Sequence, residues 1–212
     1  LRVERSSLER MAKARFHTSH RSKPRNSRFS DSQLLFDFDA APKLPPIPGE
    51  SSTHSPAERL ALRFAALLEA DPIARFNNNS VSELAREILG ASAGQARLAY
   101  DAAEAGFNLY LHRAGLNDSD SKESLNWLLE QQLRLPLQAR RDQQQIDFQQ
   151  FSTPPAQALV VVKAAAVCGG MRVLEPSAGT GNIAAVARLL GGEVDTNEID
   201  ERRRTLLVLQ GF

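Results

Sequence analysis

The chain has 212 residues, 42% hydrophobic and 24% charged, values ordinary for a globular protein of one or two domains. Its single cysteine, Cys168, excludes an intramolecular disulfide and points to a reducing compartment such as the cytoplasm. No apolar run approaches the roughly 20 residues of a membrane span, and the basic start lacks the apolar centre of a secretory signal.

The formal net charge of +1 hides an uneven distribution. Residues 1–28 carry nine Lys and Arg against Glu4 and Glu9, so the remainder is acidic. Residues 1–54 read as a disordered basic arm and a proline-rich linker, Pro42 to Pro48, followed by Gly49 and a Ser/Thr stretch. The apolar island Leu34–Phe38 interrupts them. Such an arm is a solvated tail first, and a surface for nucleic-acid phosphates second, through counterion release.

From Ser55 the texture becomes helical. Ser55-Pro56-Ala57-Glu58 reads as a capping box with proline at the first helical position. Leu60, Leu62, Phe64, Leu67 and Leu68 then repeat at helical spacing. A second helix is expected to start at Ser80 and end at Gly90, with Leu84, Ile88 and Leu89 inward. A third spans about Ser92 to Arg113, burying Leu98, Ala102, Ala105, Leu109 and Leu111. A fourth opens at Ser121 and carries Leu125, Trp127, Leu128, Leu129 and Leu133. Together they predict a small helical bundle over residues 55–135 whose apolar residues are core and which carries no chemistry.

His17, His20, His54 and His112 are scattered, without carboxylate or cysteine at ligand spacing, so no metal site is expected. Cys168 falls at the end of a predicted helix and reads as a small core residue. There is no Gly-Lys-Ser/Thr, which excludes a P-loop.

A polar hinge, residues 136–150, leads into residues 151–212, where the pattern is α/β. Thr153 before Pro154 predicts an N-cap with proline at the first helical position, and the helix runs to Cys168. Met171–Leu174 follows as a strand, Asn182–Leu190 as a crossover helix, Glu193–Asn197 as a second strand, and Asp200 to about Leu209 as a last helix. Between the first strand and its helix lies Glu175-Pro176-Ser177-Ala178-Gly179-Thr180-Gly181, a turn whose glycines allow close approach of the backbone to a ligand.

Gly179-x-Gly181-x-x-Ala184, with Glu198 nineteen positions after Gly179, fits a dinucleotide fingerprint. Glu175 argues against that ligand, because a carboxylate at the strand end repels a pyrophosphate at short range. It favours a ligand without phosphate and with a cationic end. S-adenosylmethionine matches, with a sulfonium and an α-ammonium for Glu175 and a ribose for Glu198.

Residues from about Phe151 to Asp200 resemble the cofactor half of amino-methylating DNA methyltransferases that modify the exocyclic amine of adenine. The matching residues are Thr153-Pro154, the acid-Pro-x-x-Gly-x-Gly loop at Glu175–Gly181, and Glu198-Ile199. The resemblance implies a Rossmann-like sheet with the cofactor over the ends of its first two strands. It also implies that Thr153 meets the methionine part, Glu175 the sulfonium or amine, Glu198 the ribose hydroxyls and Ile199 the adenine ring. More narrowly, Gln-Gln-Phe-Ser-Thr-Pro and Leu-Glu-Pro-Ser-Ala-Gly-Thr-Gly look like bacterial phage and plasmid polypeptides. In those, a methylase-like domain precedes a strawberry-notch-type helicase, and some act against restriction.

That family's catalytic element, Asn/Asp-Pro-Pro-aromatic, is absent; Pro45-Pro46 and Pro154-Pro155 lack its other residues. The chain therefore reads as an N-terminal piece of a longer protein, truncated after two strands and expected to be inactive alone. Two other readings stay open: a non-catalytic methylase-like module, and part of a dinucleotide-dependent oxidoreductase.

Overall fold

The computed structural model describes residues 53–90, 95–116, 120–136 and 151–212. The basic arm, the proline linker, the island Leu34–Phe38 and nearly all of the polar hinge lie outside the described residues, as does the expected helix start at Ser92.

The described chain is mixed α/β and mostly helical, with one two-stranded parallel sheet. Helix α1 (Pro56–Ala70) begins as expected: Ser55 Oγ accepts from the Glu58 amide, Glu58 Oε2 accepts from the Ser55 amide at 2.7 Å, and Pro56 takes the first turn. Its stripe Leu60, Leu62, Phe64, Leu67 and Leu68 is buried. Helix α2 (Asn78–Leu89) starts earlier than Ser80, because Asn77 is the cap and Ser80, the third helical residue, is the reciprocal partner of the same box. Helix α3 is Gln95–Ala114 and helix α4 is Ser121–Gln132, the latter opening at Ser121 as expected, with Asp120 as its cap.

Helix α3 is the central element, lying against α1 and α2 on one side. Its approach to α1 is close enough to demand glycine: a Cβ on Gly106 would stand 2.5 Å from the Ala61 carbonyl oxygen and 2.7 Å from Phe64 Cβ. Ala102, Ala105 and Leu111 are fully buried there, whereas Leu109 is half-buried. On α4, Leu128 is buried, but Leu129 and, at the position just past the helix, Leu133 are exposed, contrary to expectation. Trp127 is half-buried beside a cavity that Ala114, Leu116 and Glu123 also line. Arg134, itself buried, closes the end of α1 by donating to the carbonyls of Leu68, Asp71 and Ala74.

Helix α5 is Pro155–Ala164, one residue later at its start and four earlier at its end than the sequence suggests. The residue before a proline is pushed out of the α region. Pro154 precedes Pro155, so it adopts ψ 149° and becomes the cap position, and Thr153 makes no capping hydrogen bond. The helix gives way at Ala165, Ala166 turns left-handed at φ 54°, and Cys168 is carried to the surface instead of the core. Strand β1 (Arg172–Glu175), helix α6 (Asn182–Leu189), strand β2 (Glu193–Thr196) and helix α7 (Glu201–Leu209, capped by Asp200) complete the described chain.

The strands pair in parallel, Val173 opposite Val194 and Glu175 opposite Thr196. Helix α6 covers the face carrying Val173 and Val194, while Leu174 on the other face is 68% exposed. One contiguous apolar cluster runs from Leu60 and Phe64 of α1 through Phe107 of α3 and Leu159 of α5 to Val186 of α6 and Leu206 of α7. The helical segment and the α/β segment thus share a core. No helix of the described residues is long and apolar enough to cross a membrane.

Candidate functional site

The loop Pro176–Gly181 leaves the carboxyl end of β1 and is tied down on three sides. On the β2 side, Asn197 donates its amide to the Glu175 carbonyl at 2.9 Å and its Nδ2 to the Pro176 carbonyl at 3.0 Å. The Ala178 amide donates back to the Asn197 carbonyl at 2.9 Å. The buried Glu198 side chain finishes this wall, with Oε2 accepting from the Gly179 amide at 2.7 Å and Oε1 from the Asp200 amide at 2.8 Å. Glu198 therefore fixes the loop to the end of β2 and to the cap of α7.

The two loop glycines differ in what they do. Both sit at positive φ, 58° for Gly179 and 89° for Gly181. A Cβ on Gly181 would come within 2.8 Å of Leu207 Cδ2, so its lack of side chain serves packing against α7. At Gly179 a Cβ would meet nothing nearer than Arg203 at 3.8 Å. The space beside Gly179 is thus open, whereas that beside Gly181 is filled by α7.

Glu175 stands at the end of β1 with the first turn of α6 before it. Burial and the neighbouring Glu198 charge push its carboxyl up to about 7, against the pull of the Ala184 N–H in that first turn. Its Oε2 is buried and has no hydrogen-bond donor among the described residues. Helix α6 has no side-chain cap of its own at Gly181, so the carboxylate occupies the place at which a helix N-terminus would otherwise receive an anion.

The third side comes from α3. Glu104 Oε2 accepts from Thr180 Oγ1 and from Ser152 Oγ, each at 2.7 Å. Asn108 Nδ2 donates to the Thr180 carbonyl at 3.2 Å and to Asn182 Oδ1 at 3.0 Å, and Asn182 Nδ2 donates to the Thr153 carbonyl at 2.9 Å. One turn earlier, Asp101 receives Arg203 of α7 in a two-pronged pair, 3.0 and 3.2 Å, with both side chains buried. Arg203 is thereby held further toward its charged form by Asp101, against the desolvation that opposes it. Glu104 is left with hydroxyl donors, and burial pushes its carboxyl up to about 7, against the pull of those hydroxyls.

The structure therefore brings together Thr153, Glu175, Gly179, Gly181 and Glu198 around the ends of β1 and β2. Pro176 and Ser177 form the exposed crown of the loop and Ala178 its buried floor. Ile199 is 75% exposed beside Glu198, an apolar side chain left uncovered at the rim. Sequence reasoning missed Thr180, Asn182, Asp101, Glu104 and Asn108. The signal was the spacing of Asp101, Glu104 and Asn108, three and four apart on one face of α3. Among the described residues no group of His, Cys, Asp and Glu is placed to hold a metal ion. No protein-family model, curated protein or solved structure matches this chain.

Proposed function

We propose that residues 151–212 form the cofactor-binding part of an S-adenosylmethionine-dependent DNA methyltransferase with a Rossmann-like core. It would act on an exocyclic base amine, adenine's in the first instance, in a bacterial, phage or plasmid protein working on cytoplasmic DNA. The observation that carries this reading is Glu175, a half-buried carboxylate whose buried Oε2 has no donor among the described residues, at the mouth of a glycine loop. A pyrophosphate would have to displace that charge from the α6 N-terminus, at a Coulomb cost of several kcal/mol for unit charges about 4 Å apart in a protein-like medium. An ammonium instead supplies the hydrogen-bond donor that Glu175 Oε2 lacks, and a sulfonium offers it positive charge.

The remaining groups support the same ligand. Glu198 already accepts two main-chain amides, and a carboxylate has about four lone-pair sites, so two ribose hydroxyls can be added without breaking either bond. Ile199 offers a bare apolar surface for an adenine ring. Thr153, held to Asn182 through its carbonyl, lines the side where the methionine part would lie. When bound, the cofactor supplies an electrophilic methyl group; this chain's residues bind and orient it. No catalytic residue is assigned within these 212 residues, since Pro155 opens helix α5 and is followed by Ala156, not an aromatic residue.

Calorimetric titration of the chain with S-adenosylmethionine and with a nicotinamide dinucleotide tests the reading. Saturable binding of the first and none of the second is expected, with Glu175→Lys abolishing it. Binding of the dinucleotide at equal or higher affinity, or indifference of S-adenosylmethionine binding to Glu175→Lys, overturns it.

A further inference from the structure

Helix α3 belongs to the segment whose sequence reads as apolar scaffold, yet it delivers a carboxylate between the two chain segments that flank the loop site. Glu104 is 5% exposed, and a single oxygen of it takes hydrogen bonds from Ser152, next to Thr153, and from Thr180, between the two loop glycines. Both bonds are at 2.7 Å, an ordinary hydroxyl hydrogen-bond length. Asn108, one turn further on, links the Thr180 carbonyl to Asn182, and Asn182 reaches the Thr153 carbonyl. The two walls are thus joined twice, each time through a polar side chain of α3.

Packing alone does not account for Glu104. Asp101 and Arg203 already neutralise one another beside it, so Glu104 adds an unbalanced buried acid. An apolar side chain of similar size would fill the position at lower cost. It would also leave the Ser152 and Thr180 hydroxyls without their acceptor. What the carboxylate adds is geometric: two donors from distant parts of the chain are held at one point. Thr180 is itself almost fully buried, and its carbonyl is further held by Gln210 at 2.9 Å, so its orientation passes directly to Gly179 and Gly181 on either side.

We propose that Glu104 of helix α3 is a positioning residue for the loop site, setting the separation of the Thr153 segment and the Gly179–Gly181 turn. The helical segment is then part of the ligand site rather than a support beneath it. The inference rests on the methyl-donor reading for the identity of the ligand, but its mechanical part does not. Binding energy depends on a loop held ready in advance, because a loop ordered at the moment of binding takes that cost out of affinity.

The test compares the 212-residue chain with Glu104→Gln, Glu104→Ala and the pair Ser152→Ala and Thr180→Val. Backbone amide exchange over residues 177–182 and S-adenosylmethionine affinity are measured on each. Glu104→Ala is expected to speed exchange of the loop amides about 10-fold or more, the equivalent of one buried hydrogen bond to a charged group, while α1 and α2 stay unchanged. S-adenosylmethionine affinity should fall by a similar factor, and Glu104→Gln, whose amide oxygen accepts both hydroxyls, should restore both readouts to within about twofold of the parent. If Glu104→Ala does not fold, Thr180→Val and Ser152→Ala remove the two donors singly and must each loosen the loop. Unchanged loop exchange, a uniform rise across the molecule, or failure of Gln to rescue overturns the proposal. If the loop loosens as expected but no form binds S-adenosylmethionine, the positioning role stands and the cofactor reading falls.

Discussion

Glu104→Gln tests the electrostatics of the buried patch through stability, without any ligand. The groups facing Glu104 are Asp101 and Tyr100 on its own helix, Arg203 from α7, and the hydroxyls of Ser152 and Thr180. Its carboxyl is raised from 4.5 to about 7, with burial the leading cause. A carboxyl whose folded-state pKa is raised contributes stability that is fully present below the unfolded value and lost as pH climbs through the folded one. The wild-type chain therefore loses stability between about pH 4.5 and pH 7 on account of this group. The shift of roughly 2.5 units corresponds to about 3 kcal/mol as an upper bound. Glutamine is neutral throughout and loses nothing in that window. Glu175 is raised to about 7 as well, but it is present in both proteins and cancels in the difference. Urea unfolding followed by the far-ultraviolet helical signal, at half-unit pH steps from 4.5 to 8, gives the two stability curves. The Gln variant should gain on the parent by about 1 to 3 kcal/mol across the window, all of it above pH 4.5. Curves that stay parallel would show that Glu104 is not held in a desolvated site, and the account of α3 would fail with it.

Two further outcomes follow from the same contacts. Arg203→Leu removes the two-pronged cation from the buried Asp101 carboxylate and should cost about 3 kcal/mol in urea unfolding, whereas Arg203→Leu with Asp101→Leu should recover most of it. A single-variant cost below about 1 kcal/mol would refute the assignment of Arg203 as the main compensation for the Asp101 charge. Gly181→Ala should destabilise by roughly 2 kcal/mol or more, since it combines a positive φ with a contact on buried Leu207, while Gly179→Ala should cost about 1 kcal/mol from backbone strain alone. Equal melting temperatures for the two glycine variants would contradict the distinct roles assigned to them.

Local rules served well where the competing choices differed in chemistry. Ser55-Pro56-Ala57-Glu58 offers one way to begin a helix, and α1 begins that way. They served less well where two neighbours could do the same job. Asn77 and Ser80 are both competent caps, and the structure uses one as cap and the other as its reciprocal partner. Thr153-Pro154-Pro155 offers two prolines for the first helical turn, and the steric demand of the second on the first decides for Pro155. Cys168 depended on where α5 stops. A run of valines and alanines carries no stop signal, so its turn into the surface near Ala166 was invisible.

The site was legible in proportion to how much of it is local. Glu175, the glycine turn and Glu198 follow from strand-turn-helix order along about two dozen residues, and they come together as that order requires. The α3 contribution is of another kind. A polar stripe of Asp101, Glu104 and Asn108 beside an apolar stripe of Ala102, Ala105 and Leu111 looks like the solvated face of an amphipathic helix. It becomes an interior face because α6 and α7, more than seventy residues downstream, close over it. Burying two carboxylates on one helix face is tolerable when their compensation arrives from elsewhere in the chain. Arg203 supplies it to Asp101 as charge; Thr180 and Ser152 supply it to Glu104 as hydroxyl donors. Arg202, Arg203 and Arg204 are indistinguishable as a triplet in sequence, and helical phase turns Arg203 inward. The apolar residues of the helical segment therefore account for its stability, and the buried Asp101, Glu104 and Asn108 of α3 account for its place beside the loop.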